Sequence, residues 1–192
     1  MASRWTRWPT PIQSTSANNE HRGTTGARAP EVAVKPHEYF SQVAAENART
    51  AVERPGDLRL AINAIMTLDG FFGSLHAELY EVGLVQERAD DQWKEKLARG
   101  NKYYRLLRDS AYALKHGRLD DRKPRLVRRP DQIMTMPAGF DPATFDRSAF
   151  DTETVWIETD DNDYRAAEMI KEVLQFARER LDALTAAYSQ RS

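Results

Sequence analysis

The chain has 192 residues, 30% of them charged and 41% hydrophobic, with a formal net charge of −1. That suffices for one ordinary domain with its own core, and it offers no global attraction to nucleic acid or to an anionic membrane. The absence of cysteine excludes disulfide scaffolds, thiolate zinc sites and cysteine nucleophiles.

Residues 1–34 mix Ser, Thr, Asn, Gly and Pro without a hydrophobic period, and a disordered N-terminal tail is expected there. Trp5 and Trp8 stand out in it as side chains suited to docking. The start "MASRWTRWPTPIQS" lacks an apolar h-region, and the sequence holds no run of about 18 apolar residues. A cytoplasmic protein with no membrane span is the expectation.

A single folded domain is expected over 35–192. Its first helix runs from about Pro36 to Glu53, with Phe40, Val43, Asn47 and Ala51 on one stripe. "RPGD" (54–57) breaks it and places Asp57 to cap the next helix. There Leu58, Ile62, Ile65, Leu68, Phe72, Leu75, Leu79 and Val82 follow three- and four-residue steps up to Gly83. Gly70 and Gly73 would each cost about 1 kcal/mol relative to alanine in a helix interior, so a closely packed neighbour is expected against them. His76, on the flank of this stripe, reads as a buried, hydrogen-bonded histidine. Asn47 and Asn63 read as polar links between the first two helices.

A short helix around Asp91 to Arg99 carries Trp93 and Leu97. "GN" (100–101) separates it from "YYRLLRDSAYALKHGRL" (103–119), a helix with Tyr103, Leu107, Ser110 and Leu114 on its apolar side, ended by Gly117. "PRLVRRPDQIMTMP" (124–137) and "TETVWIET" (152–159) are short and β-branched, with prolines at their edges. They predict two or three antiparallel strands in an insertion at about 122–159. In the last helix Ala167, Ile170, Leu174, Ala177, Leu181, Leu184 and Tyr188 form the stripe, and Asp160 to Asp163 read as its N-cap and acidic first turn. The expected fold is mainly α, a helical bundle of about four long helices with a small antiparallel β insertion before the last helix. The final stripe also fits a seam to a second copy, so a homodimer through the bundle helices stays open.

Arg105, Arg108, Asp109, Tyr112 and His116 share the helical side opposite Leu107 and Leu114. Read as a catalytic face, His116 is the general acid/base, Arg108 stabilises developing phosphate charge, and Asp109 or Tyr112 orients the group. Eight positions separate Arg108 from His116, about 12 Å along the axis, which suits a site shared by two subunits better than a tight dyad. Read structurally, "KHG" is a helix C-terminus, with cations complementing the dipole and glycine following it. Arg108 and Asp109 would then be solvated charges.

Lys115, Arg118, Arg122, Lys123, Arg125, Arg128 and Arg129 form a basic segment that could neutralise several nucleic-acid phosphates. Asp151, Glu153, Glu158, Asp160, Asp161 and Asp163 form an acidic one, and strand pairing between the two would compensate both. No cofactor or metal is expected. "TDDNDY" (159–164) leads into Arg165 and Ala166 where a calcium loop needs an oxygen ligand and a glycine, and the histidines share no ligand spacing.

The order Arg108, Asp109 and then His116 on a late helix resembles the motif of the HEPN superfamily. The resemblance implies a helical, often dimeric, metal-independent ribonuclease acting on RNA through Arg108 and His116. Seven residues lie between these two, a longer gap than the family motif has. A second similarity is to uncharacterised bacterial helical proteins sharing "YFxxV…N", "DLRxAxNA" and "RDxAxAxKHxxL". Here these are Tyr39-Phe40-Ser41-Gln42-Val43 with Asn47, Asp57 to Ala64, and Arg108 to Leu119. It implies a shared helical body and no particular chemistry. Two functions are therefore expected to compete: a binding or interaction module without catalysis of its own, and a HEPN-like ribonuclease.

Overall fold

The computed structural model describes residues 34–119, 124–137 and 153–189. The fold is mainly helical, with a small three-stranded antiparallel sheet in the order β1-β2-β3. The expectations for Trp5 and Trp8, and for a disordered tail, concern residues outside the described ones.

Helix α1 (Pro36–Tyr39) passes through a π-helical stretch (Phe40–Ala44) into α2 (Ala45–Glu53). The expected helical span is continuous, but the wide π turn shifts its buried face onto Ala44, Ala45, Ala48 and Ala51. These small residues let α2 pack closely on α3 (Leu58–Glu81). Asp57 caps α3 as expected, its side chain accepting from the Leu60 amide at 3.1 Å. Gly70 faces α1: a Cβ there would lie 2.8 Å from the Tyr39 hydroxyl. Gly73 faces Lys94, whose Nζ would lie 3.5 Å from such a Cβ. Asn47 links to Thr67 through a 3.4 Å hydrogen bond, whereas Asn63 is exposed and forms no such link. Thr67, one turn further along the same face of α3, takes the place opposite Asn47 that was expected for Asn63.

Helices α4 (Asp90–Gly100) and α5 (Lys102–His116) meet at Asn101 and pack against each other, and the Asn101 side chain caps α5 by accepting from the Tyr104 amide at 2.9 Å. The core centres on Phe72, whose ring lies 4.3 Å from that of Tyr104, 5.4 Å from Phe71 and 5.8 Å from Phe176 of α6 (Ala166–Ser189). His76 is buried as expected, with Nε2 2.8 Å from the Glu87 carbonyl oxygen.

Strand β1 (Ile133–Pro137) pairs with β2 (Glu153–Glu158), and β2 with β3 (Asp163–Arg165). The expected helical cap over Asp160 to Asp163 is corrected here. Glu158 pairs with Asp163 across the ladder, and Thr159 and Asn162 close the turn through a 3.2 Å backbone hydrogen bond. Ladder pairing satisfies backbone groups that a helix start would leave open, so the strand runs to Arg165 and α6 begins directly at Ala166. The sheet is tied to the α2–α3 turn by the Val155 amide, which donates to the Pro55 carbonyl at 2.8 Å. No helix among the described residues is long and apolar enough to cross a membrane.

Candidate functional site

Consecutive residues on a helix point about 100° apart, and this sends Arg108 and Asp109 in different directions. Arg108 turns toward α4. Its Nη2 donates to Asp91 Oδ1 at 2.7 Å and its Nη1 to Glu95 Oε2 at 2.8 Å, and the residue is only 4% exposed. Burial opposes the guanidinium charge, but the two carboxylates outweigh it and hold the group above its ordinary pKa. Asp91 and Glu95 stand one turn apart on α4, so the pair grips the guanidinium like a fork.

Asp109 turns the other way, toward the segment that follows α5. It accepts from Arg125 Nη1 at 3.0 Å and from the Leu126 amide at 2.9 Å. Burial pushes its carboxyl above the usual aspartate value, against the pull of the Leu126 amide and of Arg125. The Arg125 guanidinium lies over the Tyr112 ring, 4.0 Å from its centroid, and Tyr112 in turn lies 4.4 Å from the His116 ring. His116 itself is exposed at the end of α5, where Gly117 takes a φ of 71° and its amide donates to Ala113 at 2.8 Å.

The expectation of one polar, solvated face is thus corrected. Arg108 and Asp109 are buried ion-pair members on two sides of α5, and Tyr112 carries the link from Arg125 to His116. The reason is tertiary: α4 supplies two carboxylates on one side and the 124–126 segment supplies a cation and an amide on the other.

Between α4 and α5 lies a cleft of about 640 Å³. Its lining includes Asp91, Glu95, Arg99, Arg105, Arg108, Asp109 and Arg125, and neither Tyr112 nor His116 is among the lining residues. Arg105 is held at its edge by a 2.9 Å hydrogen bond to the Pro124 carbonyl.

The basic segment is broken up by the fold. Lys115 Nζ lies 2.5 Å from Asp69 Oδ2, Arg125 pairs with Asp109, Arg128 lies 3.3 Å from Asp160 and Arg129 3.1 Å from Asp131. Arg118 is exposed, and Arg122 and Lys123 lie outside the described residues. Compensation by cross-strand pairing is corrected as well. Strand β1 starts at Ile133, beyond these cations, and Glu153 and Glu158 sit opposite Pro137 and Asp163. Lys115, Arg125, Arg128 and Arg129 each find an acidic partner singly instead.

Sequence reasoning missed a charged cluster at the junction of α3, α4 and α5. Lys94 Nζ reaches the Asp69 carbonyl at 3.1 Å, Asp69 Oδ1 at 3.4 Å and Asp90 at 3.3 Å, while Lys115 takes the other Asp69 oxygen. Asp69 and Lys94 are both buried. The available signal was an aspartate inside the most apolar helix of the chain, since a buried carboxylate requires partners. Among the described residues no group of three or more His, Asp or Glu is placed to hold a metal ion. No family model, curated protein or solved structure matches the chain.

Proposed function

We propose that this chain is a bacterial, cytoplasmic interaction module: a bundle of four long helices with a β insertion before the last, binding through the α4–α5 cleft and without catalytic activity of its own. The observation that supports this reading is the separation of the catalytic candidates. Arg108 is already neutralised by Asp91 and Glu95 at the cleft, while His116 lies against the Tyr112 ring, and neither of those two lines it. A general acid/base and an anion-stabilising arginine have to meet at one reacting phosphate, within hydrogen-bond reach. The competing reading, a HEPN-like ribonuclease, requires Arg108 to leave its carboxylates.

The test is incubation of the full-length protein with total RNA in EDTA, beside His116→Ala and Arg108→Ala. His116 is exposed, so its substitution leaves the fold intact and is the cleaner arm. The module reading expects intact RNA in every arm. Cleavage by the wild type that disappears in His116→Ala would overturn it and establish the ribonuclease.

A further inference from the structure

Charge in the α4–α5 cleft is unevenly placed. Asp91 and Glu95 are both engaged by Arg108, and Asp109 is engaged by Arg125. Arg99 and Arg105, which flank the Gly100–Asn101 turn and line the cleft, make no ion pair within 4.0 Å among the described residues, although Arg105 lies near enough to Asp109 to favour its charged form. Glu95 stands four residues before Arg99, the usual spacing for a helical ion pair, yet it is directed at Arg108 instead. Arg105 is fixed by the Pro124 carbonyl, so its guanidinium is oriented before any ligand arrives.

We propose that the turn end of this cleft binds the oxyanion group of a small molecule, a phosphomonoester or a carboxylate, between Arg99 and Arg105. The inference rests on the reading of the cleft as a binding site. Planar guanidinium forks match phosphate and carboxylate oxygens two at a time, which suits a paired-arginine clamp. The volume of about 640 Å³ lies within the range of small-molecule sites, so the oxyanion is one end of a larger ligand. Elsewhere in the lining, the Asp91 and Glu95 side chains remain 51% and 44% exposed while bound to Arg108. Their outer oxygens are available to accept from hydroxyl or amine groups at the other end of that ligand. Among the described residues no aromatic side chain lines the cleft, and these residues offer no stacking surface of the kind a bare nucleic-acid strand would use.

Amide NMR titration of the full-length protein with inorganic phosphate, and separately with acetate, tests this. Saturable shifts are expected around residues 99–105 with at least one of the two anions, and which one responds distinguishes a phosphorylated from a carboxylated ligand. Affinity should fall about tenfold in Arg99→Gln and in Arg105→Gln, and stay unchanged in Arg118→Gln, which alters an exposed arginine outside the cleft. Arg99 is exposed, so Arg99→Gln keeps the fold even if Arg105→Gln disturbs the Pro124 contact. Unsaturable shifts spread over the surface, or equal affinity in wild type and Arg99→Gln, would overturn the proposal. RNA cleavage that depends on His116 would overturn the module reading itself, and intact RNA alongside a failed titration would remove the anion site alone.

Discussion

Arg125 Nη1 lies 3.0 Å from Asp109 Oδ1, and the two side chains are only 8% and 3% exposed. This pair fastens the segment after α5 back onto that helix, and the Leu126 amide and the Tyr112 ring complete the attachment. A buried pair is weak evidence for net stability, because desolvation offsets its Coulomb energy, but removing one partner strands the other.

Arg125→Ala is therefore expected to destabilise the protein by roughly 3–5 kcal/mol, since Asp109 stays buried without its cation. Replacing both, as in Asp109→Leu with Arg125→Met, should recover much of that loss. A double-mutant cycle in urea reads the coupling, and additive costs would show that the pair is not coupled.

The carboxyl of Asp109 sits above its ordinary pKa because burial outweighs its partners. Its protonated form is thus favoured on folding. Stability from this group is fully present below the unfolded aspartate value and is lost as pH rises through the higher folded midpoint. Carboxyl-carbon NMR should show Asp109 titrating above a typical aspartate, and Asp109→Asn should flatten this part of the stability–pH curve. Glu87 runs the other way. The hydrogen bond from Lys96 holds its carboxyl below the usual value, so its contribution is present above the unfolded glutamate value and is lost as pH falls through the lower folded midpoint. Lys96→Gln should raise the Glu87 midpoint, and an unmoved midpoint would exclude Lys96 as the cause.

Gly70 and Tyr39 should be coupled through a single oxygen. A Cβ at position 70 would sit 2.8 Å from the Tyr39 hydroxyl but 3.5 Å from the ring carbon that bears it. Gly70→Ala alone is expected to be neutral or destabilising. In a Tyr39→Phe background the same change should gain up to about 1 kcal/mol from helix propensity. Denaturant midpoints of the four proteins decide the point, and an equal effect in both backgrounds would dismiss the contact.

Gly56 meets backbone rather than a side chain. A Cβ there would lie 2.5 Å from the Glu153 carbonyl oxygen, next to the Val155–Pro55 hydrogen bond that ties the sheet to the α2–α3 turn. Since neither backbone can yield cheaply, Gly56→Ala should cost about 1–3 kcal/mol and lower the thermal midpoint by several degrees. Calorimetry measures this, and an unchanged midpoint would show that the turn and β2 separate without cost.

What the sequence by itself determined was local. The apolar steps through α3, the Asp57 cap, the glycine after His116 and the tight approach at Gly70 were legible because periodicity and capping act within a few residues. In α6 the expected stripe was met in part: Ile170, Ala177 and Leu184 are buried, Tyr188 is exposed, and Met169, Val173 and Phe176 join the buried face. The β-branched stretches that became β1 and β2 were legible for the same reason. Only the tertiary structure decided the rest. Asp163 looks like a helix-start residue until β2 is beside it to pair with. Arg108 and Asp109 look like solvated neighbours until α4 and the 124–126 segment arrive on opposite sides. Asp109 takes its cation from 16 residues away, and Asp69 takes Lys115 from 46. A charge chooses its partner by distance in space, and no repeat along the chain encodes that distance.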